Sequence, residues 1–214
     1  MARFLTTAAP AKKVICVAKQ ARALQTHSRA LDAAAYEVAR YGYANTNLQR
    51  IADQIGLTKG ALYGHFSSKE ELAAALTGHL LHGVTALLDK ARTPPGDAHD
   101  RLAALVLGLG DLFSTNLRAQ AALRLEVDAA RAAEKTAPVL DDIHRVTLRL
   151  VNEVQRAGQW DATLPSAPLA DLIVAVPVTV SLASTEPGRE QPSRSDVRAM
   201  WGVLTRALST PSAG

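Results

Sequence analysis

The stretch TKGALYGHFSSKEEL, residues 58–72, concentrates groups that offer hydrogen bonds or positive charge to an anion: Lys59, Tyr63, His65 and Lys69. Two glycines, Gly60 and Gly64, interrupt it. A glycine inside a helix costs roughly 1 kcal/mol relative to alanine, so a pair spaced about one turn apart was not selected for helix stability. A helix whose main chain must approach a duplex needs small side chains there, with donors beside them for phosphates and base edges. Tyr63 and His65 suit phosphate oxygens. Lys69, in the first turn of the next helix, adds charge to a helix N-terminus that already favours anions. The blander alternatives are that Tyr63 is half-buried packing and that His65 is a surface residue closing a helix.

These residues must be carried by helices. Leu31, Ala34, Ala35, Val38 and Ala39 recur at helical spacing and predict a first helix from about Arg22 to Tyr41, ended by Gly42. Thr46 is expected to cap a second helix, with Gln49 completing the capping box and Leu48, Ile51, Ala52 and Ile55 as its apolar stripe. Gly56 closes it, and Thr58 caps a third helix in which Leu62 and Phe66 turn inward. Two short helices joined at a glycine make a helix-turn-helix. Ser68 then opens a longer helix to about Arg92, with Glu71 placed for a second capping box, before the break at TPPGDAHD.

Charge is distributed unevenly. Residues 1–70 hold ten Lys or Arg against four acids, an excess of six positive charges, whereas the whole chain of 214 residues carries only +4. The basic end is the one expected to meet a polyanion. Composition is otherwise that of a folded globular chain, 48% hydrophobic and 21% charged, and its propensities favour an all-α fold. The single Cys16 rules out an internal disulfide framework and fits a reducing compartment. No secretory leader is evident, and the longest apolar run, residues 169–183, contains Asp171 and Pro177 and is too short to span a membrane, so a cytoplasmic location is expected.

The segment GYANTNLQRIADQIGLTKGALYGHFSSKEEL closely resembles the DNA-binding signature of the TetR family of transcriptional repressors, over about residues 25–80. The resemblance places DNA contacts on Thr46, Asn47, Lys59, Gly60, Ala61, Tyr63, His65 and Lys69. Residues 1–20, with Pro10 and scattered lysines, show little periodicity and are expected to form a flexible basic arm, while the resemblance implies a three-helix DNA-binding domain at 21–67 and a helical ligand-binding and dimerisation domain at 68–214. Gly64 departs from many members, which carry a larger side chain there.

Beyond residue 97 the periodicity predicts a helical bundle, with stripes at Leu102/Leu105/Val106/Leu109, Leu123/Val127 and Val146/Leu150/Val154. Residues 115–128 and 144–160 resemble, more weakly, the branch of the family that receives γ-butyrolactone or furan signals. That branch places a tryptophan just before the position of His144, where this chain has Ile143. The change favours either a different ligand or a pseudo-receptor that responds to end-product antibiotics. Candidate pocket walls are Phe113, Leu123, Glu126, Leu140, Ile143, Thr147 and Val174, with Arg124 and Arg145 as partners for Glu126 should its charge face inward. The last two helices, about 169–183 and 195–208, are expected to pair with their copies in a homodimer, using Val176, Val180, Met200, Trp201 and Leu204.

The expected partners are therefore double-stranded operator DNA, a small-molecule effector and a second copy of the chain, with no cofactor. The alternative is a ligand-blind regulator or one that works with a heteromeric partner. An enzyme is disfavoured: no nucleophile triad, paired-carboxylate site or phosphate loop appears in a supporting context. His79 and His82, three apart on a helix, have no third metal ligand suggested nearby.

Overall fold

The computed structural model describes residues 10–93, 96–183 and 194–209. Helix α1 runs Pro10–Tyr41, so residues 10–20, expected in the flexible arm, belong to the helix instead. Pro10 sits at the helix start, where a missing N–H costs nothing, and the Ala-, Lys- and Gln-rich residues after it favour helix. Residues 1–9 of that arm lie outside the described residues. Gly42, with φ +75°, ends α1 in the left-handed conformation open to glycine.

Helices α2 (Leu48–Gln54) and α3 (Lys59–Tyr63) follow, turned against each other at Gly56, φ +71°. The head closes on one apolar core. Ala30, Leu31, Ala34 and Val38 of α1, Ile51, Ala52 and Ile55, and Leu62 and Phe66 all contribute to it. Helix α4 (Lys69–Arg92) leaves the head and buries Leu72, Leu76, Leu80, Val84 and Leu88, a stripe four residues apart that runs into the body. Among the described residues α4 alone has the length and hydropathy for a membrane crossing, but this stripe is spent on the protein core and its ends carry Glu70, Glu71, Asp89, Lys90 and Arg92.

The body consists of α5 (Ala98–Thr115), α6 (Leu117–Ala132), α7 (Pro138–Arg156), α8 (Ser166–Ala183) and α9 (Arg194–Leu208). Among the described residues the extended structure is one isolated bridge, Trp160 with Ser209. Helix α8 starts at Ser166, earlier than the expected Leu169, and runs unbroken past Pro177. Helix α5 is the hub, packed on α4, α7, α8 and α9. Its Gly110 lets α9 come close, since a Cβ there would lie 2.7 Å from Val197 Cγ1.

Head and body are joined along α6, which lies against both α1 and α4. Arg118 Nε donates to Asp32 Oδ1 at 2.7 Å, and its terminal nitrogen donates to the Ser28 carbonyl and hydroxyl oxygens. Arg124 donates to the Ala39 carbonyl at 2.8 Å. Two arginines on one helix of the body thus hold two levels of α1.

Candidate nucleic-acid interface

Helix α3 is short, and its orientation is set from both ends. Thr58 Oγ1 accepts the Ala61 N–H at 3.1 Å, capping the start as expected, while Leu62 and Phe66 are buried. Lys59, Gly60, Ala61 and Tyr63 are consequently exposed, Tyr63 at 44%. Nothing lies within 4 Å of the position a Gly60 Cβ would take, so packing inside the chain does not require this glycine. Gly64 has a different reason: a Cβ there would sit 3.2 Å from the Ala61 carbonyl oxygen. Lys59 Nζ stands 6.0 Å from the Tyr63 ring centre, and both remain open to the outside. His65 is half-buried, its ring edge-on to His27 at 6.3 Å, while His27 stacks on Phe66.

Helix α2 corrects one expectation. Thr46 is buried, and its hydroxyl donates to the Gly42 carbonyl at 2.9 Å, so its side chain is spent inside the turn. The cap is Asn47, whose Oδ1 accepts the Gln49 N–H at 2.8 Å, and the Gln49 amide donates to Asp53 rather than closing a box with Thr46. Asn47 stays exposed at the helix start. Below it, buried Glu37 accepts from Arg50 Nε at 3.0 Å and from its terminal nitrogen at 2.8 Å, tying α1 to α2.

At the start of α4, Ser68 Oγ accepts the Glu71 N–H at 3.1 Å. Glu71 returns to Ser67, not Ser68, taking its hydroxyl and N–H at 2.6 Å each. Those two donors hold the Glu71 carboxyl below its ordinary range. Lys69 lies with Nζ 4.5 Å from the Tyr43 ring centre and donates to the Ala44 carbonyl at 3.2 Å. The Tyr43 hydroxyl donates to Glu70 Oε1 at 3.3 Å. Sequence pattern missed Tyr43, Glu70 and the Glu37–Arg50 pair because their contacts join segments well apart in the chain. The one local sign was a lysine placed in a helix first turn.

The body residues separate into two groups. Phe113, Leu123, Ile143 and Thr147 are fully buried on α5, α6 and α7, and Glu126, Leu140 and Val174 are half-buried. The proposed partners of Glu126 are engaged elsewhere, Arg124 with Asp128 and Arg145 with Asp142. Of the expected dimer contacts, Val176, Val180 and Trp201 are buried within the subunit. Trp201 packs 6.1 Å from Trp160 and from His99, so it anchors α9 to its own body. Leu204 is half-buried, and Met200 is exposed beside Val203, with Leu172 exposed on α8. His79 and His82 are exposed. Among the described residues the metal-compatible cluster is Asp97, His99 and Asp100, where the Asp97 carboxylate already caps α5 and accepts from Gln159.

A three-helix head whose third helix shows donors and an open glycine, set on a helical body, is the architecture of a helix-turn-helix transcriptional regulator rather than of an enzyme. The family model described as "Bacterial regulatory proteins, tetR family" matches residues 30–76. The A-factor receptor protein of Streptomyces griseus is 31% identical over 199 residues, covering 91% of this chain and 68% of that protein. The chain belongs to the tetR family of bacterial regulatory proteins, and within it is related to the A-factor receptor. Its fold matches a crystal structure of a γ-butyrolactone receptor with a TM-score of 0.72 at 24% identity, covering 88% of this chain and 90% of that one. CprB from Streptomyces coelicolor, solved in complex with its biological operator sequence, gives 0.70 at 26% identity over the same shares of the two chains.

Proposed function

We propose that this chain is a repressor that binds a palindromic operator as a homodimer and is released by a small-molecule signal. The observation that carries the reading is the outward side of α3, where Lys59, Gly60, Ala61 and Tyr63 are exposed and Gly60 stands in open space. A main chain left bare with no internal need for it fits close approach to a duplex. Asn47, His65 and Lys69 flank that surface as further contacts, and the capped ends of α2, α3 and α4 keep it in register. Exposed Leu172, Met200 and Val203, with Leu204 beside them, supply the apolar side of α8 and α9 that a second copy would cover.

The effector is read as a butyrolactone, furan or antibiotic-like compound taken up among Phe113, Leu123, Ile143, Thr147 and their half-buried neighbours Glu126, Leu140 and Val174. Kinship with the A-factor receptor supports this class. Fully buried Ile143, where that branch carries tryptophan, favours a second reading in which the ligand differs from the usual butyrolactone or the chain acts ligand-blind, alone or with a heteromeric partner. Control of antibiotic production is the corresponding biological role.

Enrichment of duplexes from a random pool by the purified chain tests the operator claim. An inverted repeat whose half-sites lie about 34–36 Å apart, or a multiple of that, is expected, as two recognition helices on a two-fold axis require. A single unpaired motif contradicts it. Titrating the complex with a panel of butyrolactones, furans and polyketide antibiotics tests release, and no response to any of them favours the ligand-blind reading.

A further inference from the structure

Lys69 breaks a local rule. The first turn of a helix is the positive end of its dipole and favours acids, which Glu70 and Glu71 supply, yet Lys69 puts an ammonium there. It is held by Tyr43, which the turn at Gly42 carries beneath it. The ammonium stands 4.5 Å from the centre of that ring and gives one hydrogen bond, 3.2 Å long, to the Ala44 carbonyl. An ammonium has three donors, so two remain for a phosphate.

The ring is fixed in turn, since its hydroxyl donates to Glu70 Oε1, one residue beyond Lys69. Burial first, and Glu70 second, push the Tyr43 phenol above its ordinary value, so it stays a neutral donor near neutral pH. Glu70 is held below its ordinary range by its own backbone N–H, then by the Ser68 hydroxyl, with Tyr43 contributing less.

We infer that Tyr43 is a positioning residue for DNA binding: it holds the Lys69 ammonium over its ring at the edge of the head, so that the phosphate contact is pre-organised before the duplex arrives. The inference rests on the proposed function. Tyr43 need not touch DNA to act, and its effect passes through Lys69.

The test is the salt dependence of affinity for a short random-sequence duplex, measured on the full chain. Each phosphate contact adds about one unit to the slope of log affinity against log salt. Lys69→Gln should lower the slope by about one unit per subunit. Tyr43→Leu, which removes the support and keeps the charge, should weaken binding at fixed salt by about two- to fivefold, and should add nothing in the Lys69→Gln background, while Tyr43→Phe, which keeps the ring, should bind as the parental chain does. A folded Tyr43→Leu chain with the parental affinity, or one that weakens binding as much in the Lys69→Gln background as in the parental one, overturns the inference and leaves the proposed function intact, provided Lys69→Gln lowers the slope. An unchanged slope in Lys69→Gln overturns it also, while the proposed function is judged separately by the enrichment of duplexes. Should Tyr43→Leu not fold, proton resonances of the Lys69 ε-methylene in the parental protein decide: an upfield ring-current shift is expected, and its absence overturns the inference.

Discussion

Gly60 and Gly64 look alike in the sequence and differ in the structure. A methyl group at Gly60 meets nothing within 4 Å, whereas one at Gly64 meets the Ala61 carbonyl oxygen at 3.2 Å. Gly60→Ala should therefore raise the free protein's stability by up to about 1 kcal/mol and weaken operator binding by on the order of tenfold, about 1.4 kcal/mol. Gly64→Ala should bring no such gain. Thermal unfolding and a binding isotherm check both. At the Glu37–Arg50 pair, Arg50→Ala leaves the buried Glu37 carboxylate without its guanidinium and should lower the urea midpoint. The donors of α3 were legible because residue type and spacing carry that chemistry. Thr46 was misread because threonine caps either a helix or a turn, and only the placement of the Gly42 carbonyl beside its hydroxyl decides between them.

Helix boundaries were legible wherever a cap or a glycine marks them, at Gly42, Gly56, Thr58 and Ser68. They were not at the start of α1, where residues 10–21 show no apolar period to extend the helix backwards, nor at α8, where the apolar run begins only at Leu169. Caps also titrate. Asp97 at the start of α5 is held below its ordinary carboxyl value first by the Asp100 N–H and then by the Gln159 amide. A lowered folded-state value means the cap's contribution is present above the ordinary value and is lost as pH falls through the folded one. Below about pH 4 the melting temperature of the parental chain should fall more steeply than that of Asp97→Asn, because asparagine caps without titrating. Equal slopes in the two proteins would remove Asp97 from the acid response.

At the scale of the whole molecule, the body expected from sequence is present, but the roles of α8 and α9 needed the structure. Amphipathic pattern marks a residue as apolar and does not say whether its own subunit or another copy covers it. Trp201 is covered by Trp160 and His99, so Trp201→Ala should destabilise the fold by about 3–5 kcal/mol. Met200→Glu with Val203→Glu, both on exposed positions, should leave the melting temperature of the isolated subunit nearly unchanged and shift sedimentation from dimer to monomer. Unaltered dimers would place the interface elsewhere. The arginine anchors predict that Arg118→Ala with Arg124→Ala speeds amide exchange along α1 from Ser28 to Ala39, because those contacts join head to body.

The central claim is that the outward side of α3 meets a duplex, and amide hydrogen exchange with and without an enriched operator measures it most directly. Residues 58–65 and the start of α4 should gain protection when DNA is added, together with Asn47. Unchanged exchange across 58–65, with protection gained only on α8 and α9 or nowhere, would contradict the account.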